Sequence, residues 1–363
     1  MEKVTKKIPV GILGATGMVG QRFISLLENH PWFEVVCVAA SEKSAGKTYA
    51  EAVEGRWVQK ESMPWNIRKL SVRSIENDVE IISNEASFVF SAILAEKEFI
   101  KRIEEAYASA GMPVVSNNSA HRWTEDVPMI MPEINPHHLK IIEAQRKNRG
   151  WETGFIVTKP NCSIQCYVPL LSAWKKFDPQ KVIVSTYQAI SGAGKTFETW
   201  PEMVDNVIPY IGGEEEKSER EPSKIWAKIK DDKFELASSP KISASCMRVP
   251  ISDGHMAAIN VQFAKKAEKQ ELIDEIRDFP NPLDALSLPS APRPFLTYFE
   301  EESRPQTRLD RDLHNGMGIS VGRLREDPIL SWKCVTLSHN MLRGAAGGSI
   351  LNAELLLKMG YIK

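Results

Sequence analysis

The chain runs to 363 residues, with 46 Lys plus Arg against 47 Asp plus Glu, a formal net charge of −1. That balance argues against a nucleic-acid surface, and no apolar stretch approaches the roughly 18 residues that cross a bilayer. The length allows two ordinary domains or one large one, and a hydrophobic share of 42% supports a sizeable core; the five cysteines, odd in number and without CxxC spacing, argue against a zinc site or disulfide framework and fit the reducing cytoplasm.

Residues 1–7 are basic but lead into a short strand rather than the apolar core of a signal peptide. The run Pro9-Val10-Gly11-Ile12-Leu13 flows into Gly14-Ala15-Thr16-Gly17-Met18-Val19-Gly20, and residues 22–27 continue as a helix. Strand, glycine turn and helix stand in the order of a dinucleotide-binding turn, where small residues let the backbone approach a pyrophosphate at a helix N-terminus. A tight structural turn is the plainer reading of the same glycines. The second strand, 33–40, is followed by Ser41-Glu42-Lys43-Ser44-Ala45-Gly46-Lys47. An acid here suits the ribose of NAD, whereas hydroxyls and cations suit the 2′-phosphate of NADP. The loop favours NADP, and Glu42 is the residue that speaks for NAD.

Residues 79–82 and 88–91 read as short buried strands, 98–110 as a helix, and Val114-Val115 as a strand ending in Ser116-Asn117-Asn118-Ser119-Ala120-His121-Arg122. Such alternation predicts an α/β fold with a Rossmann-type doubly wound parallel sheet, its ligands beyond the strand C-termini near Ser91, Asn117 and Arg122.

Phe155-Ile156-Val157 then leads into Lys159-Pro160-Asn161-Cys162-Ser163-Ile164-Gln165. Asn161 reads as a helix N-cap that places Cys162 in the first turn, where the helix dipole and free N–H groups favour a thiolate and a developing oxyanion. A nucleophilic thiol needs that setting; a small buried hydrophobe is the alternative. Beyond it, 182–190, 243–250 and 257–263 alternate like antiparallel strands with one solvated or interface face. Ser191-Gly192-Ala193-Gly194-Lys195-Thr196 imitates the end of an ATP-binding P-loop, but Ala189 stands where glycine is needed and Trp200-Pro201 interrupts any following helix. Residues 213–230 read mostly as a solvated helix. Arg248 has the planar fork that clamps a carboxylate, and His255 titrates in the range of a proton carrier, although each type is more often structural. Residues 280–294 hold five prolines and read as a loop. An apolar helix over 349–359 ends the chain and suits packing back on the first domain.

Together, residues 14–20, 116–122, 160–165, 187–194, 213–217 and 253–261 resemble the aspartate-semialdehyde dehydrogenase family, in the branch found in archaea and fungi, nearly end to end. The resemblance implies an NADP-binding Rossmann domain over 1–159, completed by 345–363, and an α+β catalytic and dimerisation domain over 160–344 with a largely antiparallel sheet. It implies Cys162 as nucleophile and His255 as acid/base catalyst. Arg248 would bind the substrate α-carboxylate and Gln188 would position the substrate. Glu221 and Lys224 would be substrate and phosphate ligands, with Arg122 and Asn118 helping to hold phosphate. The cofactor set would be Gly14, Thr16, Gly17, Met18, Val19, Ser41, Ser44, Ser91, Asn117, Ser191, Gly192 and Asn340, with no metal. The implied reaction is NADPH-dependent reductive dephosphorylation of 4-phospho-L-aspartate through a cysteine thioester, in a cytoplasmic homodimer or homotetramer serving lysine, methionine and threonine biosynthesis. Malonyl-CoA reductase and N-acetyl-γ-glutamyl-phosphate reductase share that logic. An ATP-binding protein built on Lys195, or a catalytically silent relative, are the readings from other classes. Two departures from the family pattern stand out: Lys195-Thr196 after the Ser-Gly-Ala-Gly loop, and Pro222 between Glu221 and Lys224.

Overall fold

Short apolar runs separated by amphipathic helices cannot pair as hairpins, and they pair in parallel here. The computed structural model describes residues 6–363, so most of the basic start over 1–7 lies outside the described residues. Strands β1 (Ile8–Leu13), β2 (Phe33–Ala40), β3 (Arg73–Ser74), β4 (Phe88–Ser91), β5 (Pro113–Ser116) and β6 (Phe155–Thr158) form one sheet in the order β3-β2-β1-β4-β5-β6, every pair parallel. All residues of β4, β5 and β6 are buried, as in a sheet covered on both faces. The helix Lys97–Ser109 turns Ile100, Ile103 and Tyr107 inward. The helix Gly347–Lys358 is buried from Gly347 to Leu356 and packs on β5 and on the helix Met18–Leu27, as expected of the apolar tail.

Residues 79–82 are not a strand but open the helix Val79–Glu85. Ile82 is buried and Ile81 is 42% exposed, a helical face rather than a two-sided run. Four apolar-rich residues are too few for periodicity to separate strand from helix.

The second sheet joins β7 (Pro179–Gln188), β10 (Lys241–Arg248), β11 (His255–Phe263), β12 (Leu296–Phe299), β13 (Ile319–Glu326) and β14 (Trp332–Ser338) in the order β10-β7-β11-β14-β13-β12; β8 (Lys228–Lys230) and β9 (Lys233–Glu235) make a separate hairpin. Its four central strands, β7, β11, β14 and β13, run antiparallel, while the edge strands β10 and β12 pair in parallel with β7 and β13. The sheet is therefore mixed, and 243–250 departs from the antiparallel expectation. Burial alternates strictly along β11: one face packs on the core that includes Tyr167, Trp174 and Leu272, while Ile183 and Tyr187 of β7 stand exposed on the other. No helix among the described residues is long and apolar enough to cross a membrane.

Candidate active site

The register of the second sheet brings three chain segments to one point. Gln188 ends β7, Arg248 ends β10 directly beside it, and His255 begins β11 opposite the last residue of β14, Ser338. The loops that follow are laced together, with Ile190 N–H donating to Ile251 O and Ser191 N–H to Ser252 O. The turn after β6 enters the same place. Cys162 Sγ lies 3.5 Å from His255 Nε2 and 3.4 Å from Asn161 Oδ1. Of the five cysteines only Cys162 is not buried, so it is the thiol a solute can reach.

A cavity of about 340 Å³ connects Cys162 with Gly17, Met18 and Val19 of the glycine turn. A larger one, about 440 Å³, lies beside Trp226 and the β8–β9 hairpin but holds neither thiol nor histidine, so chemistry rather than volume selects the site. Gly14 has φ +82, and a Cβ there would come within 2.4 Å of Ala92 O; one on Gly20 would come within 2.3 Å of Gly14 O. Only glycine closes that turn. Gln21 is the first amide to bond back, to Gly17 O, which leaves the N-terminus of the helix Met18–Leu27 open toward the cavity. Asn117 Oδ1 is buried with no donor against it, on a residue that lines the same cavity. A glycine cradle, an open helix N-terminus and an unpaired acceptor fit a dinucleotide.

Burial pushes the His255 imidazole down to about 3, and Arg248 adds to it. Ala189 N–H donates to its Nδ1 at 3.1 Å, so the neutral ring carries its proton on Nε2, facing Cys162. Burial raises the Cys162 thiol and Glu214 raises it further, against Lys159, Arg122 and Arg248. The expected helix-end field is weak. Asn161 is not a side-chain cap, since its Nδ2 donates to Glu214 Oε2 at 2.7 Å, and Cys162 precedes a four-residue 3-10 turn, Ser163–Cys166. Three cations rather than a helix dipole favour this thiolate.

The helix Glu214–Ile225 is where the sequence reading fails most. Glu214, Ser218, Glu221 and Ile225, at helical spacing, are all buried. A buried stripe made of polar residues looks solvated in a sequence. Glu214 accepts from Asn161, Gln188 and Lys217, and Ser218 meets Ser163. Burial pushes Glu214 up, but Lys217 and these hydrogen bonds outweigh it and hold the carboxyl low. Glu221 accepts from Arg122 Nη1 at 2.8 Å and from Asn161 N–H at 2.7 Å, so it braces the site from behind. Pro222 cannot donate to Ser218 O, and the Tyr167 hydroxyl does so instead at 2.6 Å, which is how the helix tolerates a proline. Lys224 is not at the cavity. Its Nζ donates to the carbonyls of Arg122, Thr124 and Val127 at 2.7, 3.1 and 2.9 Å, all three donors spent. Glu214, with Lys217 on its carboxylate, is the member of this helix that bonds both Asn161 beside the nucleophile and Gln188; the Gly213-Glu214-Glu215-Glu216-Lys217 motif was the available signal.

Other expected residues divide clearly. Arg122, Asn117, Asn118, Ser191, Gly192 and Asn340 line the cavity. Asn118 spends both N–H groups on Ser91 Oγ and Glu104 Oε1, so it offers a carbonyl, which suits a donor rather than phosphate. Ser91 is fully buried beneath it and is not among the residues lining this cavity. Arg248 Nη1 donates to Ala189 O, and a Cβ on Gly192 would lie 2.8 Å from that nitrogen, so a larger residue there would have to displace the guanidinium. Asn340 binds Gly254 N–H and Ser191 Oγ, bridging the two loops. Thr16 and Gly14 sit within the turn, and Ser41 and Ser44 follow β2, whose Ala39 O accepts from Gly14 and Ala15 N–H. Lys195 lies in an irregular exposed stretch with no helix after it, unlike a P-loop lysine. Sequence reading missed Lys159. It is fully buried, its Nζ donates to Pro160 O and Gly344 O, and burial lowers it to about 7.

Two family models match: a semialdehyde dehydrogenase NAD binding domain over residues 9–142, and a semialdehyde dehydrogenase dimerisation domain over residues 168–343. The aspartate-semialdehyde dehydrogenase of Archaeoglobus fulgidus is 44% identical, covering 96% of this chain and 98% of that one; the Saccharomyces cerevisiae protein is 41% identical, covering 98% and 99%. The crystal structure of the Candida albicans aspartate semialdehyde dehydrogenase with NADP superposes with a TM-score of 0.88 at 37% identity, covering 98% of this chain and all of that one. With matches of this length across both sheets and the cavity between them, the chain belongs to the aspartate-semialdehyde dehydrogenase family.

Proposed function

We propose that the chain catalyses the NADPH-dependent reductive dephosphorylation of 4-phospho-L-aspartate to L-aspartate 4-semialdehyde, a step toward lysine, methionine and threonine. The observation that carries this is the one accessible thiol, 3.5 Å from a buried imidazole, in the cavity that opens on the glycine turn. NADPH, when bound, supplies the hydride. Cys162 Sγ attacks the acyl carbon, the carbon–sulfur bond forms as the S–H bond breaks, and phosphate leaves with the carbon–oxygen bonding pair and takes up the thiol proton. His255 Nε2–H donates toward the oxygen that gains charge and, on collapse, toward the departing thiolate. Arg248 takes the α-carboxylate, while Arg122 and Lys217 face the phosphate end. Glu214 and Gln188 hold Asn161 and the substrate ammonium between them. The cofactor lies from Gly17-Met18-Val19 past Asn117, Ser191, Gly192 and Asn340, with Ser41 and Ser44 toward its 2′-phosphate.

Residues 1–159 with 345–363 form the cofactor unit in this reading, and 160–344 the catalytic unit. Pairing of two chains through the exposed face bearing Ile183 and Tyr187 gives a cytoplasmic homodimer. The test is NADP reduction with L-aspartate 4-semialdehyde and phosphate, run beside malonate semialdehyde and CoA. Faster turnover of the second pair would move the chain to acyl-CoA reduction.

A further inference from the structure

An acid after the second strand of a Rossmann sheet ordinarily binds the ribose hydroxyls of NAD and repels the 2′-phosphate of NADP. Glu42 stands two residues beyond β2, whose end is bonded to the glycine turn through Ala39 O. Its carboxylate is occupied from the side of β3. Glu42 Oε1 accepts from the Ser74 hydroxyl and, at 2.9 Å, from Asn77 Nδ2. Neither contact is incidental to the fold. Ser74 ends β3 beside Ala40 of β2, and its backbone N–H is fixed by Asp78 Oδ2 at 2.7 Å. Its Oγ accepts Asn77 N–H at 3.0 Å, which leaves the hydroxyl proton pointing at Glu42. The turn after β3 is thus a small receptor for one carboxylate. Ser41, Lys43 and Lys47 are exposed on the loop, as Glu42 is, but it is the acid that is tied to the turn after β3.

We propose that Ser74 and Asn77 determine cofactor specificity by sequestering Glu42, so that a loop containing an acid accepts the 2′-phosphate. This rests on the reading that the loop after β2 meets the cofactor's ribose. Two hydrogen bonds are replaceable by water at an exposed carboxylate, so the receptor biases rather than locks its position. Removing both frees a unit negative charge beside a dianion.

The experiment measures NADP and NAD dissociation constants by ligand titration on wild type, Ser74→Ala/Asn77→Leu, and the same double variant with Glu42→Gln, with melting temperatures on each sample. The double variant is expected to lose NADP affinity by roughly tenfold or more, with NAD changed less than threefold. The triple variant is expected to regain NADP affinity, because the repelling charge is gone although the receptor is still missing. Equal NADP affinity in wild type and double variant overturns the inference. So does a triple variant as weak as the double, since the loss then comes from a damaged turn. A wild type without NADP preference sinks the loop reading itself, a separate result from a preference that the double variant leaves intact.

Discussion

Cys162 and Cys166 lie four residues apart and differ in what surrounds them. Cys166 is buried, donates to Ser163 O at 3.0 Å, and is pushed up to about 12 by burial. Cys162→Ala is expected to abolish turnover and leave NADP binding within a few-fold; residual activity above about a thousandth of wild type excludes a covalent thioester. Cys166→Ser, which keeps the same donor, should be far milder. Because the Cys162 thiol is itself raised in the ligand-free protein, its alkylation by iodoacetamide should still climb as pH passes 9. A plateau below pH 8 would contradict that. For His255 the sequence led to a group titrating near neutrality. The structure moves it well below, since a buried ring that accepts Ala189 N–H stays neutral as a donor. His255→Gln is expected to lower kcat by roughly two to four orders of magnitude, while any ionisation near pH 7 in the kcat profile survives the substitution. Loss of that limb in the variant would restore the proton-carrier reading. Residue type and motif made Cys162 and His255 legible; the tautomer was not, because it depends on a backbone amide 66 positions away.

Elements built on apolar runs were legible from hydropathy: β4 and the tail helix are buried nearly throughout, β1 and β2 over their C-terminal halves, and burial is what hydropathy encodes. The helix Glu214–Ile225 was not, because its inner face binds through Glu214, Ser218 and Glu221 rather than through hydrocarbon. Lys224 shows what such a helix does beyond the cavity. Three carbonyls of the 122–127 segment converge on its Nζ, so it holds the loop that presents Arg122. Burial lowers the amine to about 7, against an ordinary value of 10.5. Between those two pH values the unfolded chain holds more proton than the folded one, so this group makes stability rise with pH across the window, by up to about 1.4 kcal/mol per unit, with no further change below it. Lys224→Met removes that slope as well as three hydrogen bonds. Its deficit against wild type in urea melts is therefore expected to be larger at pH 9 than at pH 6.5, with a raised KM for phosphate at either pH. A deficit that is the same at both pH values would show that the amine stays charged throughout.

At the scale of the whole molecule, the segment before the tail helix closes one wall of the cavity, with Asn340, Met341, Gly344 and Ala345 lining it. Gly344 presses on the nucleophile so closely that a Cβ there would lie 2.7 Å from Cys162 Cβ. Arg343, 1% exposed, fixes that approach: both Nη groups donate to Glu133, and Nε donates to Gln165 Oε1 at 3.1 Å in the turn that follows Cys162. Nothing in the sequence paired residues 210 positions apart. Breaking a buried pair from one side leaves an uncompensated charge, whereas replacing both partners by apolar groups is often near neutral. Glu133→Leu alone is expected to cost about 3–5 kcal/mol in urea unfolding. Glu133→Leu with Arg343→Met should recover most of that, since the guanidinium already lies against the Phe295 ring and a methionine can pack there. The two functions of Arg343 then separate. The double variant restores an apolar contact between the sheets but supplies no donor to Gln165, so its kcat should remain well below wild type although its stability returns. Recovery of both quantities together would make the pair a purely structural clamp, and recovery of neither would mean that methionine cannot fill the space the guanidinium leaves.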